Sequence, residues 1–246
     1  MAQCEAIVAY CNERLQVASF DDYCPNGLHV EGRSEVRRIV SGVTACQALL
    51  DAAVGDGADL VLVHHGYFWR GEAGPLVGMK ARRIATLIKA GAGLLAYHLP
   101  LDAHPDLGNN RQLGLRLGFD RGAPIDGLLW GTELERAMPA DALVARIEAA
   151  LGRAPLVVGR AAAVGRVAWC TGAAQGMIEQ AAAEGFDAFI SGEISEQTVH
   201  QAHELGILYV AAGHHATERY GVQALGDELV REFAVSHRFI DIANPV

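Results

Sequence analysis

The stretch VSGVTACQALLDAAVGDGADLVLVHHG, residues 40–66, holds one complete structural unit. A short apolar run leads through a Gly/Thr turn into an alanine-rich helical pattern. A Gly-x-Asp turn and a second apolar run, DLVLVHH, follow. Strands that are apolar almost throughout, joined by a helix, are typical of a parallel sheet covered on both faces. The stretch therefore predicts a β-α-β unit.

The same alternation continues along most of the chain. Buried strands are predicted at 37–43, 59–65, 93–98, 156–159, 166–172, 187–192 and 207–213. Helical patterns lie at 45–56, 79–91, 109–118, 140–151, 174–185, 195–205 and 216–234. The predicted fold class is α/β, with mostly parallel central sheets and helices on both faces.

The chain also repeats itself. Residues 168–194, AWCTGAAQGMIEQAAAEGFDAFISGEI, align without a gap on residues 40–66. The identical pairs are Ala45/Ala173, Gln47/Gln175, Ala53/Ala181, Gly57/Gly185 and Asp59/Asp187. Because the order of elements is shared as well, we expect two similar, duplicated α/β domains. We place the first at residues 1–125 and the second at 126–246, with chain ends able to cross between them.

Composition excludes several classes of protein. The 246 residues carry a net charge of -9, and no basic run is longer than two arginines, which argues against a general nucleic-acid surface. The five cysteines are scattered and form no CxxC pair, as in a reducing compartment. No apolar window approaches the length of a membrane span. We expect a cytoplasmic protein with no membrane contact.

Imidazole and carboxylate groups follow three predicted strands at their carboxyl ends, where parallel α/β sheets bind ligands. These residues are His64, His65, His98, Asp102, His214 and Glu218. His214 and Glu218 are four residues apart and share a face if the segment is helical. Nitrogen and oxygen ligands without a thiolate suit Zn, Fe, Mn, Co or Ni. Two carboxylates could bridge two ions about 3.5–4 Å apart, the usual hydrolytic arrangement.

Each of these residues also has an ordinary structural interpretation. A histidine at a strand end often only hydrogen-bonds within its loop, and Glu218 could favour the positive end of a helix. Their joint placement at strand ends favours a metal site. His29, His200, His203 and His237 lack this setting, and we expect His200 and His203 to face solvent. The chain has no GxSxG, GxxxxGK[ST] or strand-linked GxGxxG motif.

Five ordered motifs resemble one known family. They are DYCPNGLHVEG (22–32), VHHGYFWRG (63–71), YHLPLDAHPDLGNN (97–110), SGEISEQTVHQA (191–202) and GHHATERYGVQAL (213–225). Together they are similar to the Nif-three-like dinuclear-metal hexameric proteins, also called GTP cyclohydrolase type-two homologues. The resemblance implies two α/β domains, a homohexamer and two divalent metal ions per subunit. It implies His64, His65, Asp102, His214 and Glu218 as metal ligands. His98 would lie beside the metals as a proton shuttle or as a partner that contacts the ligands, and Glu193 would be another polar neighbour.

The sequence is compatible with two functions. The first is a metal-dependent hydrolase of a small-molecule substrate, a nucleotide or another heterocycle with an amide-like C–N bond. The alternative is a non-enzymatic metal-binding protein or scaffold. The loop GYFWRG (66–71) bears on the choice. Tyr67, Phe68 and Trp69 could wall a pocket beside the ligands, or pack in the core or at a subunit interface.

Overall fold

The computed structural model describes residues 1–246 and divides the chain into two compact units. The first comprises Met1–Leu107 and Gly221–Ala243. The second comprises Gly108–Tyr220 and Asn244–Val246. None of the helices combines the length and apolar character that crossing a membrane requires.

The strands are short. In chain order they are β1 (Ala2–Gln3), β2 (Gly27–Val30), β3 (Glu35–Val36), β4 (Arg38–Thr44), β5 (Leu60–His65), β6 (Gly93–Ala96), β7 (Ala123–Asp126), β8 (Leu129–Met138), β9 (Leu156–Val158), β10 (Val164–Cys170), β11 (Ala188–Ser191), β12 (Leu208–Ala211) and β13 (Ser236–Phe239).

The helices alternate with the strands over most of the chain. They are α1 (Cys4–Arg14), α2 (Gln47–Gly55), α3 (Gly78–Ala90), α4 (Leu99–Ala103), α5 (Asn109–Arg116), α6 (Ala140–Leu151), α7 (Ile178–Ala183), α8 (Glu196–Leu205), α9 (His214–Thr217) and α10 (Arg219–Phe233). Two 3₁₀ turns, Val17–Ser19 and Gln175–Met177, complete the set.

The first unit contains a five-stranded sheet in the order β13-β4-β5-β6-β2. Its first four strands are parallel, and β2 is an antiparallel edge. Alternate residues of the central strands point to opposite faces. Leu60 and Leu62 of β5 pack in a cluster with α1 and α10, whereas Val61 and Val63 pack with α2 and α3. Both faces of the sheet are therefore covered by helices.

The second unit contains a six-stranded sheet in the order β7-β8-β10-β11-β12-β9. Its central strands β10, β11 and β12 are parallel, and β9 is an antiparallel edge beyond β12. Trp169 of β10 packs in a cluster with α5 and α6, and Cys170 packs on the other face with α7 and α8. The prediction of two similar α/β domains with helices on both sheet faces is confirmed.

One aspartate has the same structural role in each unit. Asp59, just before β5, accepts hydrogen bonds through Oδ2 from the backbone N–H groups of Arg37 (2.8 Å) and Arg38 (3.0 Å). Asp187, just before β11, accepts them from Gly165 and Arg166, both at 2.8 Å. The aligned Gly-x-Asp turns thus bind the start of the neighbouring strand. This equivalence explains why the aspartate is among the identities shared by the two halves.

The predicted strands and helices of the core are present, with ends shifted by a few residues. The region 216–234 contains parts of two helices rather than one: the end of α9 and all of α10, which meet at Glu218. The edge elements β2, β13 and the β7–β8 hairpin were not predicted. Their sequences lack a continuous apolar run because edge strands are partly exposed, and only pairing with a neighbour stabilises them.

Candidate metal centre

Two neighbouring parallel strands of the first unit bring the histidines of that unit together. His64 and His65 are the last residues of β5, and His98 follows β6. One ligand atom from each of the three rings lies within 4.8 Å of the others. Asp102, on the short helix α4 after His98, has Oδ1 3.4 Å from His64 Nε2. His64, His98 and Asp102 are buried, and His65 is half-buried.

The orientation of the rings suits metal binding. His64 Nδ1 lies 2.8 Å from the carbonyl oxygen of Tyr97. A carbonyl can only accept, so Nδ1 of His64 carries the proton and Nε2 carries the lone pair. His65 Nδ1 lies 3.0 Å from the hydroxyl of Thr44, which makes Nε2 the nitrogen that can act as a ligand. Histidines that bind metals usually engage their other ring nitrogen with the protein in this way.

Asp22, in the loop before β2, positions His98. Its Oδ1 lies 2.9 Å from His98 Nδ1 and also accepts a bond from the N–H of Tyr23 at 2.7 Å. Its Oδ2 accepts bonds from Asn26 Nδ2 and the N–H of Leu99, both at 2.9 Å. Burial alone would raise the pKa of Asp22, but these hydrogen bonds outweigh it and hold the pKa well below its usual range.

The sequence did not reveal this role of Asp22. The motif that contains it, residues 22–32, has no periodic pattern that links it to His98. The link arises because β2 pairs antiparallel with β6, so that Gly27 lies opposite Ala96. The loop before β2 therefore ends beside the loop after β6.

Trp69 forms an aromatic wall beside the histidines. Its ring centroid lies 5.0 Å from that of His98 and 6.0 Å from that of His65. Tyr23, which is 51% exposed, stacks on Trp69 at 6.4 Å and meets His98 edge-on at 5.3 Å. The first unit thus combines metal-ligand chemistry with an accessible aromatic surface.

The neighbours of Trp69 in the loop do not share its position. Tyr67 is buried in the core and donates its hydroxyl to the carbonyl of Ala45 at 2.7 Å. Phe68 is partly exposed, lies beneath Lys80 and has a left-handed backbone with φ 68°. Glu72 accepts hydrogen bonds from the N–H groups of both Phe68 and Trp69, at 2.6 and 3.0 Å. The loop is therefore held by its own hydrogen bonds.

The second unit carries a smaller polar cluster at the ends of its three parallel strands. His214, at the start of α9, lies between two carboxylates: Nδ1 is 2.7 Å from Glu193 Oε1, and Nε2 is 3.0 Å from Glu218 Oε2. Glu218 is buried. Burial lowers the pKa of His214, but Glu218 and Glu193 outweigh it and raise the pKa to about 9. A histidine between two carboxylates is suited to exchange its Nε2 proton for a cation.

Glycines make room for this cluster. Gly172 has φ +69°, and a Cβ built there would lie 2.1 Å from Glu218 Oε1. A Cβ on Gly192 would lie 2.7 Å from the Cα of His214. The hydroxyl of Thr217 accepts a hydrogen bond from the N–H of Gly172 and donates one to the carbonyl of His214. The Glu218 carboxylate lies so close to the backbone here that only glycine fits at residue 172.

The four histidines that lack a strand-end setting in the sequence, His29, His200, His203 and His237, lie outside these clusters. His200 and His203 of α8 are exposed, as predicted, and His200 pairs with Glu196 one turn away. His29 accepts a hydrogen bond from the N–H of Tyr67. His237 bonds to Ser41 and Asp227. None of the four belongs to a group of three or more potential metal ligands.

The donor set fits a divalent transition metal ion. It consists of imidazole and carboxylate groups, mostly buried, with ring nitrogens oriented by the protein. The fold and these clusters define the chain as a two-unit α/β protein whose strand-end histidines and carboxylates could hold metal ions.

Comparison with known proteins gives the family. Residues 2–245 match the model of the family described as Duf34/NIF3 (NGG1p interacting factor 3), and the chain belongs to this family. A relative from Pseudomonas aeruginosa, named GTP cyclohydrolase 1 type 2 homolog, is 57% identical over 245 residues, with 97% of each chain covered. The family resemblance seen in the sequence motifs is therefore confirmed.

Solved structures agree with this assignment. The structure of protein ybgI, described as of unknown function, has a TM-score of 0.95 and 50% identity, with 99% of this chain and 100% of that chain covered. The structure of TTHA1606 from Thermus thermophilus has a TM-score of 0.93 and 32% identity over the same shares. The architecture of both units is therefore shared with these proteins.

Proposed function

We propose that this chain binds two divalent metal ions per subunit and acts as a metal-dependent hydrolase. The proposed ligands are His64, His65, Asp102, His214 and Glu218. One observation carries the proposal. In His64, His65 and His214, Nδ1 is engaged by a protein group, which makes Nε2 the nitrogen that can bind a metal. This is the usual arrangement of metal-binding histidines.

His98 and Glu193 are proposed to move protons. His98 is buried beside His64, with ring centroids 5.1 Å apart, and Asp22 engages its Nδ1. Glu193 is partly exposed and contacts His214. When divalent ions are bound, they lower the pKa of water and polarise a carbonyl or phosphoryl oxygen of the substrate. In this proposal, His98 accepts a proton from the attacking water and returns it to the leaving nitrogen, and Glu193 is the second candidate for a proton carrier.

The proposed substrate is a small molecule with a heterocyclic C–N bond, such as a nucleotide. The aromatic wall of Trp69 and Tyr23 supports this class because planar rings stack on aromatic side chains. The name of the Pseudomonas aeruginosa relative points to the same chemical class. We also propose a homohexamer, on the basis of the family resemblance alone.

A hydrolysis screen tests this function. The protein would be stripped with a chelator and reloaded separately with Zn²⁺, Mn²⁺, Fe²⁺, Co²⁺ or Ni²⁺. Each form would be incubated with GTP, other nucleotides and cyclic amides, and ring opening followed by absorbance and mass spectrometry. We expect turnover with at least one metal and its loss in His64→Ala and His98→Gln. The variant His200→Ala, altered at an exposed histidine of α8, should keep full activity.

Retention of metal without any turnover would reject the hydrolase and favour the alternative function. In that case the chain would be a non-enzymatic metal-binding protein or scaffold. Failure to retain metal in the wild type would reject both functions.

A further inference from the structure

We propose that Asp22 is a positioning residue that holds His98 in the Nδ1–H tautomer, with Nε2 as the basic nitrogen of the ring. The consequence of this tautomer for catalysis rests on the proposed hydrolase function, whereas the tautomer itself does not. Neither Asp22 nor its contact with His98 belongs to the metal ligands inferred above.

The carboxylate of Asp22 can act only as an acceptor in its surroundings. Each oxygen already receives at least one N–H, from the backbone of Tyr23 and Leu99 and from the side chain of Asn26. The side chain of Asp22 is only 3% exposed. An ionised carboxylate offers no proton, so the bond of 2.9 Å to His98 requires the hydrogen to lie on Nδ1.

The same loop also holds the backbone of His98. The N–H of His98 donates to Asn26 Oδ1 at 2.7 Å, and the N–H of Leu99 donates to Asp22 Oδ2. Asn26 uses its oxygen for His98 and its nitrogen for Asp22, which fixes the orientation of its amide. Ring and backbone of His98 are therefore oriented by one five-residue segment, Asp22 to Asn26.

This arrangement matches the requirement for a general base. With the proton on Nδ1, Nε2 can accept a proton from water as its oxygen bonds to the substrate carbon. That proton is then available to the leaving nitrogen as its bond to carbon breaks, so the ring returns to its initial state. The carboxylate of Asp22 stabilises the imidazolium formed between the two steps. The same logic applies to the aspartate of a Ser-His-Asp triad.

In the competing interpretation, Asp22 only fastens the loop before β2 to the segment after β6 and does not affect the tautomer of His98. The variant Asp22→Asn distinguishes this structural role from control of the tautomer. Asparagine preserves the size of the side chain, but its amide can donate to His98 Nδ1 and favour the Nε2–H tautomer. Asn26→Ala serves as a control because it removes the bonds to the N–H of His98 and to Asp22 Oδ2 but leaves the Asp22 carboxylate facing the ring.

The experiment is ¹⁵N-resolved NMR of the histidine rings, with and without Zn²⁺ and at about pH 8, where an ordinary imidazole is neutral. The chain has ten histidines, and His98→Gln assigns the ring of interest. We expect a protonated Nδ1 in the wild type and in Asn26→Ala, and a shift to Nε2–H in Asp22→Asn.

Two results would overturn the proposal: an Nε2–H tautomer or a doubly protonated ring at His98 in the wild type, or an unchanged tautomer in Asp22→Asn. The wild-type measurement needs no variant, so it stands even if Asp22→Asn does not fold. It also needs no turnover, so failure of the hydrolase proposal can be told apart from failure of this one. If turnover is found, Asp22→Asn should lower kcat by about 10²–10⁴-fold, the usual contribution of a general base.

Discussion

His237 joins the C-terminal strand to Ser41 in the first long strand, through a hydrogen bond of 2.7 Å between Nε2 and Oγ. Its Nδ1 lies 2.9 Å from Asp227 Oδ1 on α10. The order of atoms is that of a hydrolytic Ser-His-Asp triad. Ser41, however, is fully buried within β4, so no substrate can reach its hydroxyl. The three residues instead tie β13 and α10 to the sheet of the first unit.

Gly226 of α10 makes room for the His237 ring, which leads to the first prediction. A Cβ at residue 226 would lie 2.3 Å from His237 Nε2. We expect Gly226→Ala to lower the free energy of unfolding by about 1–3 kcal/mol, the usual cost of overpacking. Urea denaturation of the wild type and the variant measures this change in the free energy of unfolding. Gly55→Ala is the matched control, since Gly55 ends α2 with nothing within 4 Å of a Cβ. Equal destabilisation by both variants would contradict the steric explanation.

Metal content provides the second prediction. Elemental analysis of the purified wild type should give about two ions per chain, as in paired hydrolytic sites. We expect His64→Ala and His214→Ala each to lower this number, since each removes an imidazole with an oriented ring. His200→Ala removes an exposed imidazole and should leave the number unchanged. A normal metal content in both ligand variants would show that the clusters are structural.

The third prediction concerns the glycine beside Glu218. Gly172→Ala should weaken metal binding strongly, because the new Cβ would displace the Glu218 carboxylate. Gly127 also has a left-handed backbone, with φ +54°, but nothing lies within 4 Å of a Cβ there. Gly127→Ala therefore controls for the cost of a positive φ. Isothermal titration with Zn²⁺ measures the affinity of both variants. Equal affinities would rule out a steric effect of Gly172→Ala on the Glu218 carboxylate.

Acid sensitivity is the subject of the fourth prediction. Burial raises the pKa of Asp59, but hydrogen bonds from Arg37, Arg33 and Arg38 outweigh it and lower the pKa below its ordinary value. A lowered pKa in the folded state means that the carboxylate stabilises the fold above about pH 4 and loses this effect as the pH falls further.

Asp59→Asn should therefore lower the free energy of unfolding by about 1–3 kcal/mol at neutral pH, the cost of unmet hydrogen bonds to a buried group. The difference from the wild type should shrink below about pH 4, where the wild-type carboxylate is progressively protonated. Urea denaturation across this range tests the sign. Asp51→Asn, at an exposed position on α2, should have little effect. A difference that stays constant with pH would exclude the charge as its cause.

The fifth prediction uses the position of Trp69. Trp130 and Trp169 are buried in the second unit, whereas Trp69 is only half-buried. Guanosine, a planar nucleoside, should quench the fluorescence of the wild type by stacking on this wall, and ribose should not. Trp69→Phe should retain the emission of the two buried tryptophans and lose the response. Quenching that persists in Trp69→Phe would place the ligand elsewhere.

The sequence alone determined the core of this fold. Apolar runs such as residues 60–63 are typical of strands covered on both faces, and helices between such strands are typical of parallel connections. The same reasoning put His64, His65 and His98 at strand ends. These features depend on residues close in sequence, and local periodicity is sufficient to predict them.

Only the tertiary structure decided the contacts between residues distant in sequence. The pairing of β2 with β6 brings Asp22 to His98 across 76 positions, and the pairing of β13 with β4 brings His237 to Ser41 across 196. Trp69 faces the histidines while Tyr67 enters the core because the loop folds around Glu72. Such contacts depend on strand pairing and loop geometry. Neither leaves a periodic signal in the chain, since both are stabilised only once the core has assembled.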